Sequence, residues 1–118
     1  MNIQIDYQSR VPIYEQIVGE VEKQVALDIL KPNEQIPAIR ELAYNLGINP
    51  NTVKKAYDTL EKHGVIISKS TKGTYITDNI DIVKNRLINN IIDDIKSKIV
   101  ELENLGLKKE EIKKKIDV

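Results

Sequence analysis

A chain of 118 residues can enclose one core and carry a helical extension, so a separate ligand-sensing domain is not expected. It has no cysteine, so disulfides, thiolate metal sites and cysteine nucleophiles are excluded, in keeping with a reducing cytoplasm. Its 18 basic and 18 acidic residues cancel, but residues 1–50 hold four basic against seven acidic groups, whereas residues 51–76 hold Lys54, Lys55, Lys62, Lys69 and Lys72 against Asp58 and Glu61.

The opening MNIQIDYQSRVP has no basic segment leading into an apolar run, and nowhere does the chain approach the roughly 18 apolar residues of a membrane span. A soluble, cytoplasmic protein with no membrane partner is expected. Residues 1–10 read as short and extended, with Ile3 and Ile5 alternating against polar neighbours. From Pro12 to near Leu30, Tyr14, Ile17, Val18, Val21 and Val25 keep helical spacing while Glu15, Glu20, Glu22 and Lys23 face outward, which predicts a scaffold helix. Two prolines between Lys31 and Pro37 make a loop.

The stretch IPAIRELAYNLGINPNTVKKAYDTLEKH, residues 36–63, carries the strongest pattern. Leu42, Ala43, Leu46, Ile48, Val53, Ala56, Tyr57 and Leu60 keep a period near 3.6, broken once between Gly47 and Pro50. Gly47 can close a helix in the left-handed conformation, Asn49 can cap the next one, and Pro50 suits its first position. This predicts a helix-turn-helix. On the second helix Val53, Ala56, Tyr57 and Leu60 share the inner face, and Asn51, Lys55, Asp58 and Lys62 stand opposite, with Thr52 and Lys54 on the flanks. An amide, a hydroxyl and two ammonium groups at a helix start suit the edges and phosphates of a major groove. The same residues also fit an ordinary solvated face. Arg40, opposite Leu42 and Leu46, could fork onto guanine or phosphate or could pair with Glu34 or Glu41.

Gly64 ends the second helix. Val65 to Ile67 and Thr74 to Thr77 then read as a hairpin around the polar turn SKSTKG, the wing of a winged helix, with Lys69, Lys72 and Gly73 at its tip; a plain solvated loop would look alike. Asp78 or Asn79 can cap a last long helix, from Ile82 to about Leu105. On it Leu87, Ile88, Ile91, Ile92, Ile95, Ile99, Leu102 and Leu105 form a broad stripe. Self-association through Leu87, Ile88, Ile91, Ile92, Ile95, Ile99 and Leu102 is expected, with packing on the chain's own first helix as the alternative. After Gly106, Leu107, Ile112 and Ile116 anchor a short amphipathic helix whose lysines read as solvated. The fold class is therefore mainly α with a small β-hairpin: a winged helix-turn-helix domain over 1–78, then a helical dimerisation segment over 79–118.

On these residues the chain resembles the GntR family of bacterial transcription regulators, particularly its short YtrA-like subgroup. The likeness lies in YEQIVGEVEKQVALDILKPNEQIPAIRELAYNLGINPNTVKKAYDTLEKHGVI, most closely in INPNTVKKAYDTLE, and in the wing pattern STKGTYI. The resemblance implies a homodimeric repressor that binds double-stranded DNA at a palindromic operator and controls its own operon and transporter genes. It implies DNA contacts around Arg40, Asn51, Thr52, Lys54, Lys55 and Tyr57, and in the wing at Lys72, Gly73 and Thr74. Three positions depart from the family pattern: Ala38 stands where many members carry serine, Pro50 where an arginine is usual, and Asn33 where glycine is frequent.

Two other readings stay open. An enzyme has little to work with, because His63 is the single histidine and no phosphate loop, ligand set or nucleophile with its base is present. No metal or cofactor is implied, and the identity of any small-molecule effector is not legible in these residues. The second is a winged helix turned to protein interaction without sequence-specific DNA binding, favoured by Asp58, whose carboxylate would repel phosphate.

Overall fold

Described from residue 1 to residue 118, the computed structural model carries five helices and three short strands. These are α1 (Ile13–Ala26), β1 (Gln35–Ile36), α2 (Ile39–Leu46), α3 (Pro50–Lys62), β2 (Ile66–Ser68), β3 (Thr74–Ile76), α4 (Ile80–Asn104) and α5 (Lys109–Ile116). A single 3-10 turn, Ser70–Lys72, joins β2 to β3. The chain divides into two compact units, Met1–Asn85 and Arg86–Val118.

In the first unit α1 and α2 both pack on α3. Ile17, Val21 and Val25 of α1, Leu42 and Ala43 of α2, and Val53, Ala56 and Leu60 of α3 meet in one buried cluster. Burying such side chains stabilises the unit by about 1.5–3 kcal/mol for each larger one. Ile66 and Ile76 close it from the sheet, Val65 from the residue just before β2, and Val83 from the first turn of α4. The amino-terminal strip joins it too: Ile3 is buried, and Gln16 grips the backbone before α1, accepting from the Asp6 N–H (2.9 Å) and donating to the Val11 carbonyl (2.9 Å).

Several local features depart from the sequence expectation. Helix α1 stops at Ala26 and not near Leu30, because Asp28 takes a left-handed conformation (φ 63°). The Asp28 N–H then reaches the Val25 carbonyl and the Ile29 N–H the Gln24 carbonyl, a Schellman closure usually made by glycine. The segment before α2 holds a strand: β3 is central, antiparallel to both neighbours, with Gln35 opposite Tyr75 and Ile36 opposite Thr74 on one side, and Ile66 opposite Ile76 on the other. Glu22 turns inward, 6% exposed, because His63 at the end of α3 meets it with Nδ1 3.0 Å from its Oε1.

In the second unit, α4 ends in another Schellman closure, with Gly106 at φ 105° and the Leu107 N–H on the Leu102 carbonyl. The Lys108 N–H donates to Glu111 (3.2 Å) at the start of α5. Ile112 is buried, and an open groove of about 690 Å³ runs between the two helices, with Ile99, Val100, Ile112 and Ile116 among its walls. Ile88, Ile91, Ile92 and Ile95 remain 43–54% exposed, whereas Leu87, Ile99 and Leu102 are half-buried. No helix is long and apolar enough to cross a membrane.

Candidate nucleic-acid interface

The site begins at the corner between α2 and α3. Gly47 lies at φ 67°, and its N–H and that of Ile48 close α2 on the Tyr44 and Ala43 carbonyls. Two residues later Asn49 accepts the Asn51 N–H on its side-chain oxygen (2.8 Å), and Pro50 fills the first helical position. Each part acts as its chemistry predicts: glycine pays no Cβ penalty there, asparagine replaces a missing helical partner, and proline has no N–H to satisfy.

With its start fixed, α3 turns Val53, Ala56, Tyr57 and Leu60 into the core and leaves Asn51, Lys54, Lys55, Asp58 and Lys62 exposed. Thr52 sits half-buried at the edge. Asn51, Lys54, Lys55, Asp58 and Lys62 share a shallow hollow of about 320 Å³ along the outer side. Asn51, Thr52 and Lys55 also border a second hollow, about 420 Å³, whose other wall is Pro12, Ile13 and Tyr14 at the start of α1. Arg40 stands on α2 and Lys72, Gly73 and Thr74 in the wing, outside both hollows.

The charged groups are arranged unequally. Lys54 Nζ is 2.7 Å from the Asp58 carboxylate one turn on, so the acid that would repel phosphate is neutralised along its own helix. Both side chains are well exposed, and such a pair adds little stability. Lys55 Nζ lies 4.1 Å from the centre of the Tyr14 ring. Arg40 is exposed and makes no ion pair with Glu34 or Glu41; Glu34 accepts the Lys31 N–H.

Tyr57 does not face solvent. It is 4% exposed, and its hydroxyl donates to the Pro37 carbonyl at 2.6 Å, tying α3 to the entry of α2. Burial, with the nearby Glu41 charge adding to it, pushes the phenol well above its ordinary 10.0. The direct DNA contact that the resemblance implied for Tyr57 is thus corrected to a positioning role, because the apolar period of α3 sends its ring inward. His63, at the end of α3, faces Glu22 of α1.

In the wing, Gly73 has φ 112° and ψ −164°, a conformation nearly confined to glycine, and a Cβ there would sit 2.6 Å from Gln35 Nε2. Gln35 Nε2 donates to the Lys72 carbonyl (3.3 Å), and the Tyr75 hydroxyl donates to the same oxygen (2.9 Å). Lys69 Nζ rests 4.7 Å from the Tyr75 ring centre, while Lys72 is exposed at the tip. Thr74 is half-buried in β3 between Ile36 and Ser68. Reasoning from sequence missed Tyr14 and Gln35: both act on residues about forty positions away, and no local pattern marks them.

Residues 13–76 match the family model described as bacterial regulatory proteins, gntR family. The HTH-type transcriptional repressor YtrA of Bacillus subtilis (strain 168) is 41% identical over 100 residues, covering 85% of this chain and 75% of that protein. The crystal structure of a transcriptional regulator from Oenococcus oeni superposes with a TM-score of 0.85 at 42% identity, over 96% of this chain and 94% of that one. The AraR DNA-binding domain in complex with operator ORX1 shares the fold, with a TM-score of 0.58 at 23% identity over 65% of this chain and 99% of that one.

Proposed function

This chain belongs to the GntR family of bacterial regulatory proteins, and from that premise we propose that it is a homodimeric repressor of a palindromic operator. It is a transcriptional regulator and not an enzyme, and its winged helix-turn-helix is the part that meets double-stranded DNA.

The observation that carries the finer reading is the head of α3. A capped start and an enclosed inner face leave Asn51, Thr52, Lys54 and Lys55 as the groups an approaching duplex meets first. In this reading α3 enters the major groove, Asn51 and Lys55 address base edges, and Thr52 and Lys54 serve the flanking backbone. Arg40 takes a phosphate. The wing delivers Lys72 to the backbone or minor groove, with Gly73 and Thr74 allowing close approach.

A second copy gives the twofold symmetry that a palindrome matches. Support for it is the run Ile88, Ile91, Ile92 and Ile95, an unsatisfied apolar face within the dimerisation segment 79–118, with Leu87, Ile99 and Leu102 alongside. The genes controlled are its own operon and transporter genes, a reading taken from the family resemblance.

The test is binding of the purified chain to its own upstream DNA across a salt series. A specific complex should weaken with log–log slope of about −0.9 per phosphate neutralised. A chain that ignores every duplex, its own promoter included, at low ionic strength would refute the regulator reading. Sedimentation at micromolar concentration tests the second copy; a monomer there would reject it.

A further inference from the structure

We propose that Tyr14 is a positioning residue for base reading: its ring, delivered by the first turn of α1, holds the Lys55 ammonium at the head of α3. This rests on the reading of α3 as the recognition helix and extends it to a helix expected to be scaffold alone.

The two neighbouring lysines at the head of α3 are held in different ways. Lys54 is tied within its own helix to Asp58. Lys55 is tied across helices, its Nζ 4.1 Å from the Tyr14 ring centroid, inside the roughly 6 Å reach of a cation–π contact. A lysine stem otherwise samples many rotamers, all but one of which are lost when its ammonium meets a base. Tyr14 is set beforehand: it is half-buried, packs against the core, and sits two residues before the Gln16 clasp.

The phenol hydroxyl donates to Glu15 Oε1 at 3.1 Å, and that bond, then desolvation and the Glu15 charge, raises its pKa; the Lys55 contact itself is made by the ring face. Asn51 stands one turn before Lys55 and borders the same hollow as Tyr14. The ring therefore fixes where the ammonium lies relative to the amide, and two groups that must read adjacent base edges do so at one spacing.

The experiment uses the full chain and a duplex that the wild-type chain selects from a randomised pool, beside the same duplex with one base pair of the selected motif changed. Tyr14→Leu should reduce the affinity ratio between them about two- to fivefold, and Tyr14→Phe should preserve it. In a Lys55→Met background Tyr14→Leu should add nothing. Equal loss in both backgrounds, or equal loss on both duplexes, overturns the positioning role and leaves the regulator standing. If the wild-type chain selects no duplex, both fall. In the free protein the ring should shift the Lys55 ε-methylene proton resonances upfield; their absence from that position in the wild-type chain overturns the proposal whether or not Tyr14→Leu folds.

Discussion

Isoleucine is spent differently in the core of the first unit and along α4 in the second. Ile17 and Ile76 in the first unit have no exposed surface and Ile66 has 2%, whereas Ile88, Ile91, Ile92 and Ile95 in the second keep about half of theirs in water. Both sets lie on regular elements with the correct period, so pattern alone does not separate them. What separates them is closure: three helices and a sheet enclose the first set, while the second has one long helix and an eight-residue companion, α5. The first unit encloses its own apolar set, and the second leaves the apolar face of α4 in water, where the proposed second copy would cover it.

The largest effect that sharpens this contrast comes from the first unit. Leu60→Ala removes a side chain with no exposed surface at the centre of the cluster, and should cost about 2–5 kcal/mol in denaturant unfolding of the full chain. Next is Ile91→Asp. A half-exposed isoleucine buried twice by a twofold contact is worth about 2–4 kcal/mol, so this change should weaken self-association at least tenfold by sedimentation. It should leave unfolding of the first unit nearly unchanged. Loss there as large as for Leu60→Ala would break the comparison.

Smaller effects test the surface that the first unit presents. Tyr57→Phe leaves the Pro37 carbonyl without its donor and should cost about 1–3 kcal/mol. Because the folded-state pKa of Tyr57 lies above its unfolded value of 10.0, the native state holds this proton more tightly. That contribution is complete below pH 10 and is lost as the pH rises beyond it, so the wild-type chain should lose stability more steeply there than Tyr57→Phe. The smallest effects concern the lysines. Lys72→Ala should weaken all duplexes about equally and reduce the salt slope by about 0.9, while Lys55→Ala should lower discrimination between sequences. Equal, sequence-independent loss for both would reject that division of roles.

The corner of the motif was legible in the sequence because Gly47, Asn49 and Pro50 each act on their immediate neighbours. The inner face of α3 was legible as well, and it placed Tyr57 correctly where the family resemblance alone placed it at the DNA. Features decided at a distance were not legible. Gln35 and Ile36 become a strand only because β3 arrives beside them, and Glu22 is drawn inward by a histidine 41 positions later. The early end of α1 was hidden for another reason: it depends on Asp28 adopting a conformation that sequence reasoning assigns first to glycine.

The strand before α2 has a mechanical result. Through Gln35 and Ile36 the wing is hydrogen-bonded to the segment that leads into the helix pair, and Gln35 adds a side-chain link to the Lys72 carbonyl. In the proposed binding mode, the probe for one groove and the probe for the other are thus two jaws of a single caliper, tied by these bonds. On that proposal, a duplex gripped by both presents its contacts at the caliper's own gap. Sites whose grooves are spaced otherwise are reached by deforming the DNA, at an energy set by base steps the protein never touches.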